Sequence, residues 1–536
     1  MKIRLTPVLI LLAGASFAQT PFKAGVNFPF YTPGRVSIYQ YLDLIHQSKA
    51  KAIRQMTFAD IHWKQVEPTD NNWQFTRPDS AFNNPYNLVP VGTLYSMMGD
   101  DENGMQTPWL ACSDPFTCFW DPAGDSIYAK DYVFQTVNRY KAKTKYWEVA
   151  NEIEHTLPPE GLPSLLAQYN FLKYNYRWLK QADPQAKVLL PGLLGTCCSY
   201  PMSNSFTWLR NLLNIGGGNY FDIMNYHDYN AWWTLPAHYD SVKNILTQYG
   251  LNKPIWVTET AVSSVNTSPI TPTYSSVDQQ AADVWRRLCL LWAKGAEVVF
   301  WHTGWSNADF TGWGEFGIIS NAGVKKKSFH SFSLLNESVA NFTEVSLVST
   351  GTVTDNNTSG GNGVWVIRFV VDGSNKWVIW SPNSQPYTLN GLSTSYINVT
   401  KVVPTTVSGD GQSATFEEHN YPVSSGSYTF TSLSSIPLLV EETTITAVNR
   451  TEPLTQIQVY PNPTNGQVTI GYGREFSGRI AVDIYDELGR LVHSNDFIPA
   501  NPDQGVNISL ADQPRGIYIC KIRLGNRVVV RRISKI

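Results

Sequence analysis

Between residues 23 and 335, short apolar segments alternate with longer amphipathic ones. Helical patterns such as Leu165–Ala182 and Ser276–Ala293 separate the segments that we predict to be strands. The predicted strands are Ala24–Phe28, Ala52–Thr57, Asn87–Leu94, Tyr146–Ala150, Val188–Pro191, Ile223–Tyr226, Ile255–Thr258 and Val298–Trp301. Strands that alternate with helices favour a parallel sheet. The pattern therefore predicts an α/β fold, a closed (β/α)8 TIM barrel.

After Leu335 the pattern changes to alternating β-formers interleaved with Ser, Thr, Asn and Gly. Val364–Val371 and Lys376–Ser381, on either side of Asp372–Asn375, predict a hairpin. We therefore expect an antiparallel β-sandwich over 338–441. Residues 442–454 are polar and lack periodicity, which predicts a linker. Short strands and tight turns over 455–536 predict a small all-β domain.

The first residues are typical of an export signal. Lys2 and Arg4 precede an apolar run, Leu5–Ala13, and Ser16-Phe17-Ala18 forms a small-x-small cleavage site. We predict a signal peptide over 1–18 and a barrel over 19–337; an N-terminal membrane anchor is the alternative. No later apolar stretch is long enough for a membrane helix, so no integral membrane segment is expected after the signal is removed.

Charge and aromatic content narrow the choice of partner. Lys plus Arg number 41 against 43 Asp plus Glu, so the net charge of −2 excludes nucleic acid as a favoured partner. The chain holds 18 Trp, 27 Tyr and 24 Phe, whose flat apolar faces suit stacking on sugar rings, although many must be core.

Six cysteines are too few for a disulfide scaffold in an exported chain of this length. Cys112 and Cys118 are close enough to close a small loop. For the adjacent Cys197-Cys198, a vicinal disulfide and two separate thiols both stay open. Cys289 and Cys520 fit a helix and a strand as small buried hydrophobes. None has zinc-site spacing, and we expect no metal and no cofactor.

Two glutamates end predicted strands, where barrel enzymes carry their catalytic groups. Glu152 closes the segment Tyr146–Glu152 after the fourth strand, and Glu259 follows the seventh strand, Ile255–Thr258. Glu148, Glu154 and His155 lie close by, where a solvated or supporting role is favoured over catalysis.

A pair of carboxyl groups in a barrel mouth suits hydrolysis of a glycosidic bond. One protonates the leaving oxygen, and the other meets the positive charge at the anomeric carbon. At a separation of about 5–5.5 Å no water fits between them, so the second carboxylate attacks and configuration is retained. The two pKa values must then differ, with Glu152 protonated as acid/base and Glu259 ionised as nucleophile.

These motifs resemble glycoside hydrolase clan A, whose pattern the chain matches from about 23 to 335. The clan's strand-four Asn-Glu, strand-seven Glu, strand-two Arg, strand-six His-x-Tyr and strand-eight Trp correspond to Asn151-Glu152, Glu259, Arg54, His227-Asp228-Tyr229 and Trp301. The resemblance implies that Arg54 and Tyr229 hold Glu259 ionised and that Asn151 binds the sugar 2-OH. It also implies that Trp301 forms the floor of the subsite that binds the attacked sugar. The alternatives are structural roles: an ion pair at the barrel rim for Arg54, a hydrogen-bonded core histidine for His227 and core packing for Trp301.

The sandwich and the segments Phe316–Ile319 and Lys327–Phe329 resemble family 39-type enzymes. That resemblance implies a retaining enzyme acting on β-linked xylose, glucose, mannose or related units. A catalytically silent carbohydrate-binding surface protein on the same barrel is the alternative. A peptidase or esterase is disfavoured because the chain lacks a Gly-x-Ser-x-Gly elbow and a His-Glu-x-x-His helix. The Lys325–Lys327 run is expected to be a solvated face, and one or two of Trp63, Trp232, Trp233, Trp305 and Trp313 are expected to form sugar platforms.

The last segment carries a series of short motifs: Val459–Pro463, Asn465–Val468, Ile484–Asp486, Leu488–Arg490 and Gly516–Tyr518. As a set they resemble the C-terminal sorting domain of the type IX secretion system of Bacteroidota. This implies the type IX machinery as a partner and a secreted or cell-surface protein, released or attached after the domain is removed. An ordinary accessory sandwich is the alternative.

Overall fold

The structure is a computed structural model that describes residues 22–27, 37–54, 61–94, 122–154, 165–195, 202–265, 276–306, 315–351, 362–444, 458–471, 480–487, 489–497, 505–524 and 527–536. The predicted signal peptide, Cys112, Cys118, Cys197, Cys198, His155 and Trp313 lie outside these residues. The chain divides into two compact units, 1–444 and 445–536, and the division falls within the segment predicted as a linker.

The first unit begins with an eight-stranded parallel sheet in the order β5-β4-β3-β2-β1-β8-β7-β6. Its strands are β1 (Ala24–Asn27), β2 (Ala52–Arg54), β3 (Val89–Leu94), β4 (Tyr146–Val149), β5 (Lys187–Leu189), β6 (Met224–His227), β7 (Ile255–Thr260) and β8 (Val298–Trp301). Parallel bridges from Leu189 to Ile223 and from Leu193 to Tyr226 join β5 to β6 and bring the ring together. The predicted barrel is confirmed.

Side chains that alternate along the strands fill the barrel from within, as the two-residue period of a strand requires. One cluster combines residues from around the ring: Phe22, Ala52, Val91, Leu189, Ile223, Trp256, Val298 and Phe300. This apolar plug lies below the last inward positions of the strands. Those last positions are polar, so the carboxyl ends of the strands form the site.

The helices surround the barrel. They are α1 (Ile38–Gln47), α2 (Trp63–Val66), α3 (Thr76–Phe82), α4 (Pro122–Tyr140), α5 (Leu165–Ala182), α6 (Met202–Asn214), α7 (Leu235–Gln248), α8 (Val277–Lys294) and α9 (Lys327–Ser338). Helix α8 starts where the Ser276 hydroxyl accepts from the Gln279 amide and ends at Gly295, whose φ of 109° suits glycine. Its residues from Gln280 to Trp292 are all buried, because barrel and sandwich cover opposite faces.

The sandwich follows directly. Its strands are β9 (Glu344–Ser349), β10 (Trp365–Val371), β11 (Ser374–Trp380), β12 (Tyr387–Asn390), β13 (Tyr396–Lys401), β14 (Thr406–Val407), β15 (Ala414–Thr415), β16 (Glu418–Pro422), β17 (Ser427–Phe430) and β18 (Leu438–Thr443). A six-stranded sheet, β16-β13-β18-β11-β10-β9, carries the small β12-β17 sheet on one face. Its other face joins the main hydrophobic core of the barrel.

The predicted hairpin is present with a tighter turn than expected. Val371 pairs with Ser374, so Asp372 and Gly373 alone form the turn. Both have positive φ, 50° and 76°, as a type I′ turn requires. Ser374 and Asn375, expected in the turn, are part of strand β11, where they pair with Val371 and Val370; the side-chain oxygen of Asn375 also accepts from Nε of Arg368.

The second unit is all-β. Its strands are β19 (Gln458–Tyr460), β20 (Gln467–Gly471), β21 (Ile480–Tyr485), β22 (Leu491–Phe497), β23 (Val506–Ser509), β24 (Gly516–Leu524) and β25 (Arg527–Lys535). They form sheets β19-β20-β23 and β22-β21-β24-β25. Cys520 is buried in this unit and Cys289 in α8, as predicted. In the described part of the chain, no helix is both apolar and long enough to span a membrane.

Candidate active site

The chain turns sharply where β4 ends. Ala150 and Glu152 have φ of 62° and 50°, a conformation that costs a residue with a Cβ on the order of 1 kcal/mol. The Glu152 amide donates to the carbonyl of Gly192 at 3.0 Å, which holds this turn against the end of β5. A Cβ at position 192 would lie 2.1 Å from Nε2 of His227, so glycine lets the imidazole pack against the backbone.

A buried ion pair supports the site from below. The Arg54 guanidinium donates to both oxygens of Glu148, from Nε at 2.6 Å and from Nη2 at 3.0 Å. Both side chains are buried. Glu148, expected to be solvated or supporting, is therefore a structural partner that fixes the orientation of Arg54.

Arg54 extends its remaining donors to the two strand ends with catalytic candidates. Its Nη1 atom donates to Oε1 of Glu259 at 2.6 Å, and its Nη2 atom donates to Oδ1 of Asn151 at 2.6 Å. One planar guanidinium thus connects β2 with β4 and β7. The carbonyl oxygen of Asn151 is committed to Arg54, and its NH2 group is left to face other partners.

Glu259 is surrounded by groups that favour its ionised form. The Tyr229 hydroxyl donates to Oε2, and Nδ1 of His302 lies 3.4 Å from the same oxygen. Burial alone favours the neutral form, but His227, His302, Arg54 and the Tyr229 hydrogen bond bring the pKa of Glu259 down to about 2. Burial also lowers the pKa of His227 to about 3 and that of His302, so Arg54 is the permanent positive charge.

Glu152 has the opposite environment. Its Oε1 lies 2.6 Å from Nδ1 of His227. Burial, followed by the negative charge of Glu259 and then Glu154, raises the pKa of Glu152 well above its usual value. One oxygen of Glu152, one of Glu259 and one nitrogen of His227 all lie within 4.8 Å of one another. The two carboxyls are thus adjacent and oppositely tuned.

A β-bulge in β7 accounts for this convergence. Tyr226 pairs with Val257 but His227 pairs with Glu259, so one extra residue of β7 stands opposite β6. In a regular strand Thr258 and Glu259 would point to opposite faces. Here both approach His227, with Thr258 Oγ1 3.1 Å and Glu259 Oε1 3.6 Å from Nε2.

Trp301, expected to floor the sugar subsite, is instead fully buried in the main core, and its indole donates to the carbonyl of Phe316 at 3.1 Å. It therefore matches the core-packing alternative. The next inward residue is His302, whose ring contacts Tyr229 and Phe316 edge to face. His302, Asn225 and Thr258 are site residues that the sequence analysis missed, and the alternation along β6 and β8 was the available signal for Asn225 and His302.

The expected aromatic platforms are mostly structural. Trp63, Trp232 and Trp233 are buried, and Trp232 packs edge to face on Trp365 and Trp380 of the sandwich. Of the candidates within the described residues, only Trp305 is partly exposed.

The Lys325–Lys327 run, expected to be a solvated face, is also partly buried. Lys325 donates to Gln47 and to Gln412 of the sandwich, and Lys327 pairs with Asp278 of α8. The run therefore joins α9 to its neighbours. The expectation was wrong because these ammonium groups find partners on the sandwich and on α8.

The grouping of Glu152, His227 and Glu259 has dimensions that also suit a metal ion. Both nitrogens of His227 are already engaged, however, Nδ1 with Glu152 and Nε2 with Thr258. A histidine ligand needs one nitrogen for the metal. The hydrogen bonds therefore favour a catalytic carboxyl pair over a metal centre.

Replacing Arg54 with Met should destabilise the fold and shift the pH profile. Two buried carboxylates would lose their counter-ion, which we expect to cost about 3–5 kcal/mol of unfolding free energy at neutral pH. The pKa of Glu259 should rise, so the acidic limb of kcat/KM should move to higher pH. The destabilisation should shrink as the pH falls from about 4, where the carboxyls of the unfolded chain become protonated, toward about 2, the pKa of Glu259 in the folded wild type.

Denaturant unfolding at several pH values and pH–rate profiles measure these effects. Arg139→Met is the matched control, because Arg139 pairs with Asp79 at a partly exposed site and should cost less than about 1 kcal/mol. Equal losses in the two variants at neutral pH would contradict the role assigned to the buried pair.

Two segments match known families. Residues 173–288 match the glycosyl hydrolase catalytic core family, and residues 458–535 match the secretion system C-terminal sorting domain. The first segment contains His227, Tyr229 and Glu259, whereas Arg54 and Glu152 precede it. Together with the barrel, these matches support a glycoside hydrolase that carries a type IX sorting tail. No curated protein matches the chain.

Solved structures of low sequence identity have a similar fold. A family 39 glycoside hydrolase from the gut symbiont Bacteroides cellulosilyticus WH2 is 16% identical, with a TM-score of 0.54 over 78% of this chain and 81% of that one. A glucosidase from Croceicoccus marinus is 13% identical, with a TM-score of 0.51 over 78% of this chain and 95% of that one. At these identities the likeness is one of fold.

Proposed function

We propose that the chain is a retaining glycoside hydrolase that cleaves β-linked oligo- or polysaccharide by double displacement. Glu152 is the acid/base and Glu259 the nucleophile. The observation that carries the proposal is the close approach of the two carboxyls, with an oxygen of each within 4.8 Å. Nearest oxygens this close fit the about 5–5.5 Å between the carboxyl groups of a retaining pair better than the about 6.5–9.5 Å of an inverting pair.

In the first step, an oxygen of Glu259 attacks the anomeric carbon from the face opposite the leaving group. The bond from that carbon to the glycosidic oxygen breaks, and Glu152 transfers its proton to the departing oxygen. A glycosyl ester on Glu259 results. In the second step Glu152 takes a proton from water, whose oxygen attacks the same carbon and releases Glu259 as a carboxylate. Two inversions give net retention.

The neighbouring side chains have definite roles in this scheme. Arg54 and Tyr229 donate to Glu259 and keep it ionised for attack. Asn151, whose carbonyl oxygen accepts from Arg54, directs its NH2 group to the sugar 2-OH, a contact that strengthens in the transition state. His302, 3.4 Å from Glu259, takes the position at the subsite that Trp301 was expected to fill.

The sorting-domain match at 458–535 supports export, and we propose the type IX machinery as the partner of that segment. The substrate would then be met outside the cell or at its surface, which suits a polymeric glycan. A tagged chain that lacks 458–536 but keeps its signal peptide should stay cell-associated and should reach neither the cell surface nor the medium, as fractionation and immunoblotting would show.

The deciding measurement is the configuration of the first product. We expect the mature chain, tested against a panel of β-linked xylans, glucans and mannans, to release β-anomeric reducing sugar, which then mutarotates. Proton NMR of the anomeric signals during the first minutes distinguishes the two outcomes. If the α-anomer appears first, the double displacement proposed here is wrong.

A further inference from the structure

Resting on the proposed function, we infer that a one-way chain of buried hydrogen bonds from Glu148 through Asn225 and Thr258 fixes the tautomer of His227 and thereby keeps Glu152 as the protonated acid. Asn225 and Thr258 act here as positioning residues, because neither reaches the reacting atoms.

Glu148 can only accept hydrogen bonds in this structure. Its Oε1 receives the Gly192 amide at 3.0 Å as well as Arg54, and its Oε2 receives Arg54 and the Thr93 hydroxyl at 3.2 Å. Burial raises the pKa of Glu148, but the Arg54 charge and hydrogen bonds oppose that effect. A proton on either oxygen would face a donor, so Glu148 is ionised.

The orientation of the Asn225 amide follows from this charge. The atom 2.7 Å from Oε1 of Glu148 must be the donor, Nδ2, since a carbonyl oxygen there would face a carboxylate. The Asn225 oxygen therefore points to Thr258, at 2.8 Å from Oγ1. Only a hydroxyl proton satisfies that contact, so Thr258 donates to Asn225.

Thr258 has a single proton, and Asn225 already takes it. The Thr258 oxygen can therefore only accept from Nε2 of His227, 3.1 Å away. The reverse direction would leave two oxygen lone pairs facing each other across 2.8 Å. Asn225, His227 and Thr258 are each fully buried, so bulk solvent does not compete for these hydrogen bonds. His227 is thus neutral and protonated on Nε2.

The Nδ1 atom of His227 then presents a lone pair to Oε1 of Glu152, 2.6 Å away, and this contact requires the carboxyl to carry the proton. The protonated Nε2 atom meanwhile lies 3.6 Å from Oε1 of Glu259, where the positive end of its N–H dipole favours the ionised form. One imidazole therefore stabilises opposite protonation states in the two catalytic candidates.

The same arrangement serves the second step. After Glu152 has given up its proton, its carboxylate faces the Nδ1 lone pair, and the negative charges of Glu154 and Glu148 act against its own, with Glu259 neutralised as the ester. The positive charge of Arg54 opposes this effect and lowers the pKa of Glu152. Arg54 and His302 also lower the pKa of His227. Repulsion makes Glu152 a stronger base toward the attacking water.

Thr258→Val tests the inference, because valine has a similar shape but accepts no hydrogen bond. His227 is then free to move its proton to Nδ1 and donate it to the Glu152 carboxylate. The alkaline limb of kcat/KM on a β-linked glycan should move down by about one pH unit or more. Thr258→Ser restores an acceptor and should return the limb to its wild-type position.

Nitrogen NMR of histidine-labelled protein gives a readout that does not need activity. The resonances of His227, assigned by their loss in His227→Gln, should show a protonated Nε2 and a bare Nδ1 in wild type and in Thr258→Ser. In Thr258→Val we expect the resonances to show a protonated Nδ1 and a bare Nε2.

The inference about His227 and the proposed hydrolase activity can be contradicted independently. A wild-type chain with the opposite tautomer, or a Val variant whose alkaline limb matches the wild type, would overturn the inference and leave the hydrolase proposal intact. An inactive wild-type chain with a protonated Nε2 would overturn the proposed function while supporting the hydrogen-bond chain from Glu148 to His227.

Discussion

Replacing Glu259 with Ala is expected to lower kcat on β-linked glycans by on the order of 10⁴- to 10⁶-fold, because no other group can form the covalent intermediate. Glycan affinity should change little, since the substrate contacts of Asn151 and the mouth remain. Steady-state hydrolysis and isothermal titration with the same glycan measure the two quantities. The pair of measurements also addresses the silent-binder alternative, under which wild type and variant would bind equally and neither would hydrolyse.

Sodium azide makes this experiment specific for a nucleophile. In Glu259→Ala the small anion occupies the vacated space and attacks the anomeric carbon directly, so a β-glycoside should yield an α-glycosyl azide. Glu315→Ala is the matched control, because Glu315 lies on the loop after β8 with its side chain about half exposed and should stay near wild-type activity. Absence of the α-azide, with activity retained in Glu259→Ala, would remove Glu259 from the proposed role.

The positions of Glu152 and Glu259 were predictable because both follow apolar strands whose carboxyl ends must meet at one rim. Barrel geometry then brings together residues that are far apart in the sequence. The alternation of apolar and polar positions was enough to place the eight strands and the antiparallel domains that follow. Hydrophobic burial dictates that alternation, so it is visible in a single sequence.

The finer layout of the site depends on features that leave no such pattern. The bulge in β7 turns Thr258 and Glu259 toward the same imidazole, and a pattern of period two assigns them to opposite faces. The clan resemblance assigned the sugar subsite to Trp301, but its indole lies in the main core, and His302 occupies the inward position instead. The sequence left a solvated and a supporting role open for Glu148, because its partner Arg54 is 94 residues away in the chain.

Replacing Glu152 with Ala should produce a loss that depends on the leaving group. Natural glycans leave as poorly stabilised alkoxides and need a proton, so their kcat/KM should fall by about 10²- to 10⁴-fold. A 2,4-dinitrophenyl β-glycoside leaves without protonation, so its first step should be nearly unaffected while hydrolysis of the ester becomes slow. A burst of dinitrophenol followed by a slow steady state, measured by stopped-flow absorbance, is the expected record.

Azide again identifies the residue, this time with the opposite stereochemistry. In Glu152→Ala it needs no base to attack the glycosyl ester on Glu259, so it should speed turnover and give a β-glycosyl azide. Glu154→Gln is the matched control, since this buried carboxyl two residues further on accepts from the Leu194 amide and the Ser205 hydroxyl. The alkaline limb of the pH profile should vanish in Glu152→Ala and persist in Glu154→Gln, there at a lower pH because one of the charges that raise the pKa of Glu152 is removed. If both leaving groups lost activity equally, Glu152 would be a structural residue, and the acid would have to be sought among the other carboxyls of the barrel mouth.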